Sequence, residues 1–167
     1  GLPSFLGQNM AIHMVQDWPL SARTHLALPP EVGPVAERDG FSFDGASILA
    51  CAWGRPSGAF GPTYALHDGP RRGQRLPGPP YLFLSRIVQL DGPPDVMQAG
   101  CSLVAEYDVP HDAWYFTENG SRSMPYCVLL EAALQPCGWL STYMGGGFIG
   151  DQELFFRNLD GTATQHR

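Results

Sequence analysis

The stretch Met124-Pro-Tyr-Cys-Val-Leu-Leu-Glu-Ala-Ala-Leu-Gln-Pro-Cys-Gly-Trp-Leu-Ser-Thr-Tyr-Met144 decides the reading of the chain. Wound as a helix it is apolar on every side, which predicts a helix enclosed all round by other structure. Pro125 suits the first turn, where its missing N–H has no partner to lose. Gly145, Gly146 and Gly147 stop the helix, because glycine accepts the left-handed conformation at a helix end. Glu131 is the only charge in the run, and Gln135 follows one turn later on the same face. A carboxylate in such a helix is costly unless it is paired, hydrogen-bonded or neutralised. Two readings stand: a glutamate that tilts to solvent or bonds a loop, and an acid held in a dry acyl pocket for proton chemistry. Pro136, inside the helix, frees the carbonyl of Ala132 and predicts a kink.

The segments around the helix read as strands and turns. Leu76-Pro-Gly-Pro-Pro80 is a stiff extended lead-in to a strand over Tyr81–Leu90, which ends at the turn Asp91-Gly-Pro-Pro94. Cys101–Val109 alternates strictly. Cys101, Leu103, Ala105, Tyr107 and Val109 take one face, and Ser102, Val104, Glu106 and Asp108 the other. Asp112–Phe116 is a short aromatic segment before the polar loop 117–123, and Glu153–Leu159 predicts one more strand. Nearer the N-terminus, Ala46–Trp53 has helical spacing, with Ser42 as N-cap, Asp44 in the first turn, and Gly54 and Pro56 as the stop. Phe60–His67 reads as a turn-rich linker with His67 exposed. Residues 1–40 read as a linker or extended strap, with His13 and His25 in it, and residues 41–167 as the folded domain. So small a sheet does not enclose a helix on all sides, so the domain is expected to be incomplete at its C-terminal end or to meet a partner.

The bulk properties exclude several classes. A chain of 167 residues suits one domain with an extension. Net charge is −6, and the ten basic residues are all Arg and mostly scattered, which argues against nucleic acid. Arg71, Arg72 and Arg75 form the one small cluster, either a solvated loop or a docking point for an acidic carrier protein. Cys51, Cys101, Cys127 and Cys137 lie far apart with no C-x-x-C or H-E-x-x-H string, so no metal is expected. The two cysteines in the central helix are expected to pack as small apolar side chains. No N-terminal signal and no uncharged membrane-length run is present, Glu131 interrupting the best one, and a reducing, cytoplasmic setting is expected.

Longer strings carry a resemblance. Glu106-Tyr-Asp-Val-Pro, Asp112-Ala-Trp-Tyr-Phe, Met124-Pro-Tyr-Cys-Val-Leu-Leu-Glu-Ala-Ala-Leu-Gln-Pro-Cys-Gly-Trp and Arg157-Asn-Leu-Asp-Gly-Thr, with Leu76-Pro-Gly-Pro-Pro and Arg86, resemble the FabA-type 3-hydroxyacyl-carrier-protein dehydratases. The likeness is closest to the dehydratase region of polyunsaturated fatty acid synthases and related iterative polyketide synthases, and it covers Phe41–Arg167. It implies an α+β hotdog fold, an antiparallel sheet wrapped round a long helix, here half of a double hotdog. It implies dehydration of a 3-hydroxyacyl thioester to a 2-enoyl thioester. Glu131 falls on the acid position and Gln135 on its polar helper. Tyr126 and Cys127 fall where backbone amides hold the thioester, with Tyr126 in place of a glycine.

The expected catalytic His is missing from Phe116–Met124, and His111 is poorly placed to replace it. Two explanations fit: a partner hotdog supplies the base to a site that Glu131 serves, or this half is a pseudo-domain that only scaffolds the active one. An acyl-thioester hydrolase on the same fold ranks below both. The resemblance implies a downstream hotdog half or a second copy as partner, and an acyl carrier protein. It implies no cofactor beyond that carrier's phosphopantetheine arm, no nucleic acid and no membrane.

Overall fold

The computed structural model describes residues 33–70, 73–118, 120, 123–157 and 164. His13, His25, Arg71, Arg72 and most of the N-terminal strap lie outside them. The described chain begins with a tight hairpin, β1 (Glu37–Arg38) paired antiparallel with β2 (Phe41–Ser42). Asp39 and Gly40 make its turn at φ +51° and +75°, the backbone that an Asp-Gly pair favours between two strands. Residues at the end of the segment read as a strap therefore belong to the folded unit: the Ala36 N–H donates to the Ile87 carbonyl at 2.7 Å.

Helix α1 (Gly45–Trp53) is capped by Asp44, whose Oδ1 accepts from the Ser47 N–H at 2.9 Å, rather than by Ser42. Ser42 is held in β2, and its hydroxyl donates to Glu37 at 3.0 Å. The stretch from Pro56, read as a helix stop, through Phe60–His67, read as a linker, is helical, as α2 (Pro56–Phe60) followed by a 3-10 helix (Pro62–His67). Its prolines stand in first turns, where they start helices instead of breaking them. His67 is not a loop histidine open to water. Its ring stacks on Phe148 at 3.8 Å between centroids, and Nε2 lies 3.7 Å from Asp95 Oδ2.

Strands β3 (Arg86–Asp91) and β4 (Ser102–Glu106) form the main antiparallel ladder. Arg86 faces Glu106 and Asp91 faces Ser102, with a bulge between Ile87 and Gln89. Tyr81–Ser85, expected as the first half of β3, is not assigned as strand: the Tyr81 N–H closes a turn onto the Gly78 carbonyl at 3.0 Å, and only Ser85 reaches β4, its N–H donating to the Glu106 carbonyl at 2.8 Å. On β4 the predicted alternation is observed, with Leu103, Ala105 and Tyr107 turned inward and Ser102, Val104, Glu106 and Asp108 outward; Val109 departs from it and is exposed. Arg86, only 5 % exposed, is satisfied from that outer face. Its guanidinium donates to Glu106 at 2.7 and 3.0 Å and to Asp108 at 2.5 and 3.0 Å. The bonds to Asp108 and then Glu106 hold it above its ordinary range, with partial desolvation opposing them.

The aromatic segment forms a short helix α3 (Trp114–Thr117) with Tyr115 fully buried. Residues 153–157 carry no regular structure, and the rest of the strand expected there lies outside the described residues. The long helix α4 runs over Tyr126–Tyr143 with Pro136 inside it and Pro125 as its N-cap. Its end is a Schellman turn: the Gly146 N–H bonds the Ser141 carbonyl and the Gly145 N–H the Thr142 carbonyl, both at 2.9 Å.

Helix α4 is not enclosed. Val128, Gln135, Trp139, Thr142 and Tyr143 form one buried stripe. Tyr126, Leu129, Leu130 and Leu134 are 38–43 % exposed on the other side. Cys127 and Cys137 are exposed too, not packed. The described elements make an α+β arrangement of two small antiparallel sheets with helices, and those sheets do not by themselves wrap the helix. The buried stripe anchors the main core, where Trp139 stacks on Tyr143 (5.3 Å, 8°) and meets Phe43 edge-on at 5.3 Å. A second cluster, Phe83, Ala113, Tyr115 and Val128, lies toward the start of α4.

Gly145 has φ +82°, and a Cβ there would stand 2.5 Å from Asp95 Oδ1. Gly145→Ala should therefore lower unfolding free energy by at least about 1–2 kcal/mol, the cost of the left-handed backbone alone, read by urea denaturation.

Candidate functional site

The site is built where the second half of α4 meets the Leu76–Phe83 segment. Gln135, 3 % exposed, joins the two. Its Oε1 accepts from the Phe83 N–H at 2.7 Å, and its Nε2 donates to the Tyr81 carbonyl at 2.8 Å. A side-chain amide here completes a backbone ladder, supplying the acceptor and donor that a neighbouring strand would supply. The same Nε2 donates to Glu131 Oε1 at 3.2 Å. One amide thus holds both the strand lead-in and the carboxylate, and the two residues expected on one helix face are hydrogen-bonded to each other.

Glu131 sits at the margin of the buried stripe and opens onto a groove of about 510 Å³. Arg75, Leu76 and Pro77 line it together with Glu131, Leu134, Gln135, Cys137 and Gly138 of α4. Phe156 and Arg157 line it as well. The Arg75 Nη1 is already engaged, donating to the Gly54 carbonyl at 2.7 Å and the Ala52 carbonyl at 3.4 Å at the end of α1. Arg157 donates to the Phe156 carbonyl at 2.9 Å. No His lines this groove among the described residues, and His111 is exposed on the turn before α3.

Tyr126 and Cys127 occupy the first turn of α4 and do not line the groove. No side chain caps that turn, and amides at a helix start lack intrahelical acceptors. The structure therefore brings Glu131 and Gln135 together and sets the two thioester-holding candidates one turn away.

Sequence reasoning missed Tyr81. Its carbonyl is held by Gln135, the preceding Pro80 carbonyl accepts from Trp114 Nε1 at 3.0 Å, and its ring packs on Phe83 at 4.8 Å and Trp114 at 6.3 Å. Partial burial first, then the nearby charges of Glu131 and Cys127, push its phenol above the usual range. The only signal for it was that Tyr81 is the sole polar side chain between Leu76 and Leu84. Arg75 and Arg157 were missed as groove residues because they come from segments far apart in sequence.

Cys51 is a different kind of thiol. Burial pushes it up to about 12, so it packs rather than reacts. Among the described residues no three His, Cys, Asp or Glu side chains converge as metal ligands. No described helix is long and apolar enough to cross a membrane.

Gln135→Leu keeps the volume but leaves the Phe83 N–H and the Tyr81 carbonyl unpaired. An unsatisfied buried group costs about 1–3 kcal/mol, and the Phe83 N–H is the buried one of the two, so the variant should lose at least roughly 1–3 kcal/mol of stability in denaturant titrations.

No protein-family profile matches the chain. Over 122 residues, 73 % of its length, it is 33 % identical to one of the subunits of a polyunsaturated fatty acid synthase from a Thraustochytrium species. The matched region is 8 % of that protein, so the chain is similar to one part of a much longer synthase polypeptide.

Proposed function

We propose that this chain is one hotdog half of a 3-hydroxyacyl-[acyl carrier protein] dehydratase working in fatty acid or polyketide synthesis. The observation that carries the reading is Glu131: the one carboxylate on α4, held by Gln135 in a groove that mixes apolar side chains with Arg75 and Arg157. The groove's volume falls within the range of small-molecule sites, about 300–1,000 Å³. The similarity to part of a polyunsaturated fatty acid synthase supports the class of substrate.

In this reading a base takes the α-proton beside the thioester, and the Glu131 carboxylic acid protonates the β-hydroxyl, which leaves as water. Electrons of the broken C–H bond form the new C=C bond. The first-turn amides of α4 offer positive charge to the thioester oxygen. The base is the His of a partner hotdog, a downstream half or a second copy. The exposed stripe of Tyr126, Leu129, Leu130 and Leu134 is the face that such a partner would cover. The substrate arrives on the phosphopantetheine arm of an acyl carrier protein.

One observation favours a second reading. The Gln135 amide is committed to holding the fold, and no His lines the groove among the described residues. A non-catalytic half that supports an active neighbour fits these features as well.

The two readings separate in the full-length protein. Glu131→Gln should slow 3-hydroxyacyl-carrier dehydration about 10²–10⁴-fold, followed by mass spectrometry, with folding intact by circular dichroism. An unchanged rate would leave the scaffold reading. Partner coverage has its own readout, because Cys127 and Cys137 lie on the exposed side of α4. A thiol reagent should modify both rapidly in the isolated 167-residue chain and slowly in the full-length protein. Equal rates in the two would mean that nothing covers this face.

A further inference from the structure

We propose that Phe156 determines chain-length specificity in the Glu131 groove: seated on Gly138, it limits the site to short 3-hydroxyacyl thioesters. The inference rests on the dehydratase reading and names the substrate class within it.

Glu131, Leu134, Gln135 and Gly138 all line the groove, and they stand at positions i, i+3, i+4 and i+7 of α4. That spacing sets them on one face of the helix, so the groove runs lengthwise along α4 from Glu131 to Gly138. Two turns of helix, about 10 Å, separate its two ends. No residue of α4 before Glu131 lines it. An acyl chain whose β-hydroxyl meets Glu131 therefore follows the helix past Leu134 toward Gly138.

At Gly138 that path meets an aromatic ring. A Cβ on Gly138 would stand 3.2 and 3.4 Å from Cε2 and Cζ of Phe156 and 3.6 Å from Leu76 Cδ2, so the ring edge packs against the glycine. The helical backbone at Gly138 does not call for glycine, which costs about 1 kcal/mol against alanine inside a helix. What the glycine supplies is room for Phe156. Residues 153–157 carry no regular structure, so a smaller or larger side chain at Phe156 changes the groove without breaking a helix or strand. A size mismatch of one methylene against an apolar wall changes kcat/KM by about 10- to 200-fold.

The test measures kcat/KM for dehydration of 3-hydroxybutyryl and 3-hydroxyhexadecanoyl pantetheine, by mass spectrometry, on the full-length protein and its Phe156→Ala, Phe156→Trp and Glu131→Gln variants. The first chain ends before Gly138, and the second overruns it. The ratio of long to short should rise at least about 10-fold in Phe156→Ala and fall in Phe156→Trp. A merely structural contact would slow both substrates alike and leave the ratio where it was. An unmoved ratio, with Glu131→Gln slowing both substrates, overturns the role of Phe156 and leaves the dehydratase reading standing. A Glu131→Gln variant as fast as the wild type on both substrates overturns that reading and this inference with it.

Discussion

The structure depends on a side-chain amide that behaves as backbone. Gln135 gives the Leu76–Phe83 segment the acceptor and donor that a missing strand would give it. The buried Phe83 N–H is costly to leave unpaired, so α4 sits over this lead-in where Gln135 reaches it and the Tyr81 carbonyl together. That single constraint fixes the rotation of the helix. It brings Trp139 and Tyr143, one and two turns further on, into the main core against Phe43. It also leaves Glu131, one turn earlier, at the edge of the buried stripe, facing the groove.

A second consequence is the division of α4 into two unlike faces. The buried stripe is aromatic and polar, with Gln135, Thr142 and Tyr143 satisfied by hydrogen bonds to backbone. The exposed stripe is plainly apolar, with Leu129, Leu130 and Leu134 in contact with water. This inverts the usual amphipathic helix, in which hydrogen-bonding side chains face solvent. The inversion explains why the helix reads as enclosed in sequence: no face of it carries the charges that mark a solvated surface. Electrostatic order lies instead on the sheet, where Arg86 is buried and paired with two half-exposed carboxylates on β4 and just beyond it. Such a guanidinium tolerates burial because each of its donors toward that face has an ionised acceptor.

Several features were legible before any coordinates. The extent of α4 within two residues, its glycine stop, the alternation of β4 and the shared face of Glu131 and Gln135 follow from local rules of period, capping and helical spacing. The misreadings were also local. Asp44 caps α1 because its carboxylate, not the Ser42 hydroxyl, lies in reach of the Ser47 N–H. Pro56 and Pro62 resemble breakers in sequence, although proline is at home in the first turn of a helix. The Asp39-Gly40 turn was a hairpin signal that the proline-rich surroundings obscured.

By itself the sequence determined the kinds of element, the ends of the long helix, and the single carboxylate on it, because backbone preference and periodicity act over a few residues. The tertiary structure decided which face of α4 is buried, that Gln135 is a clamp as well as a neighbour of Glu131, and that Tyr81 shares that clamp. Those outcomes join residues about fifty positions apart, from 81 and 83 to 135. They are settled by which unpaired backbone groups meet which side chain in three dimensions, and no local rule of sequence encodes that meeting.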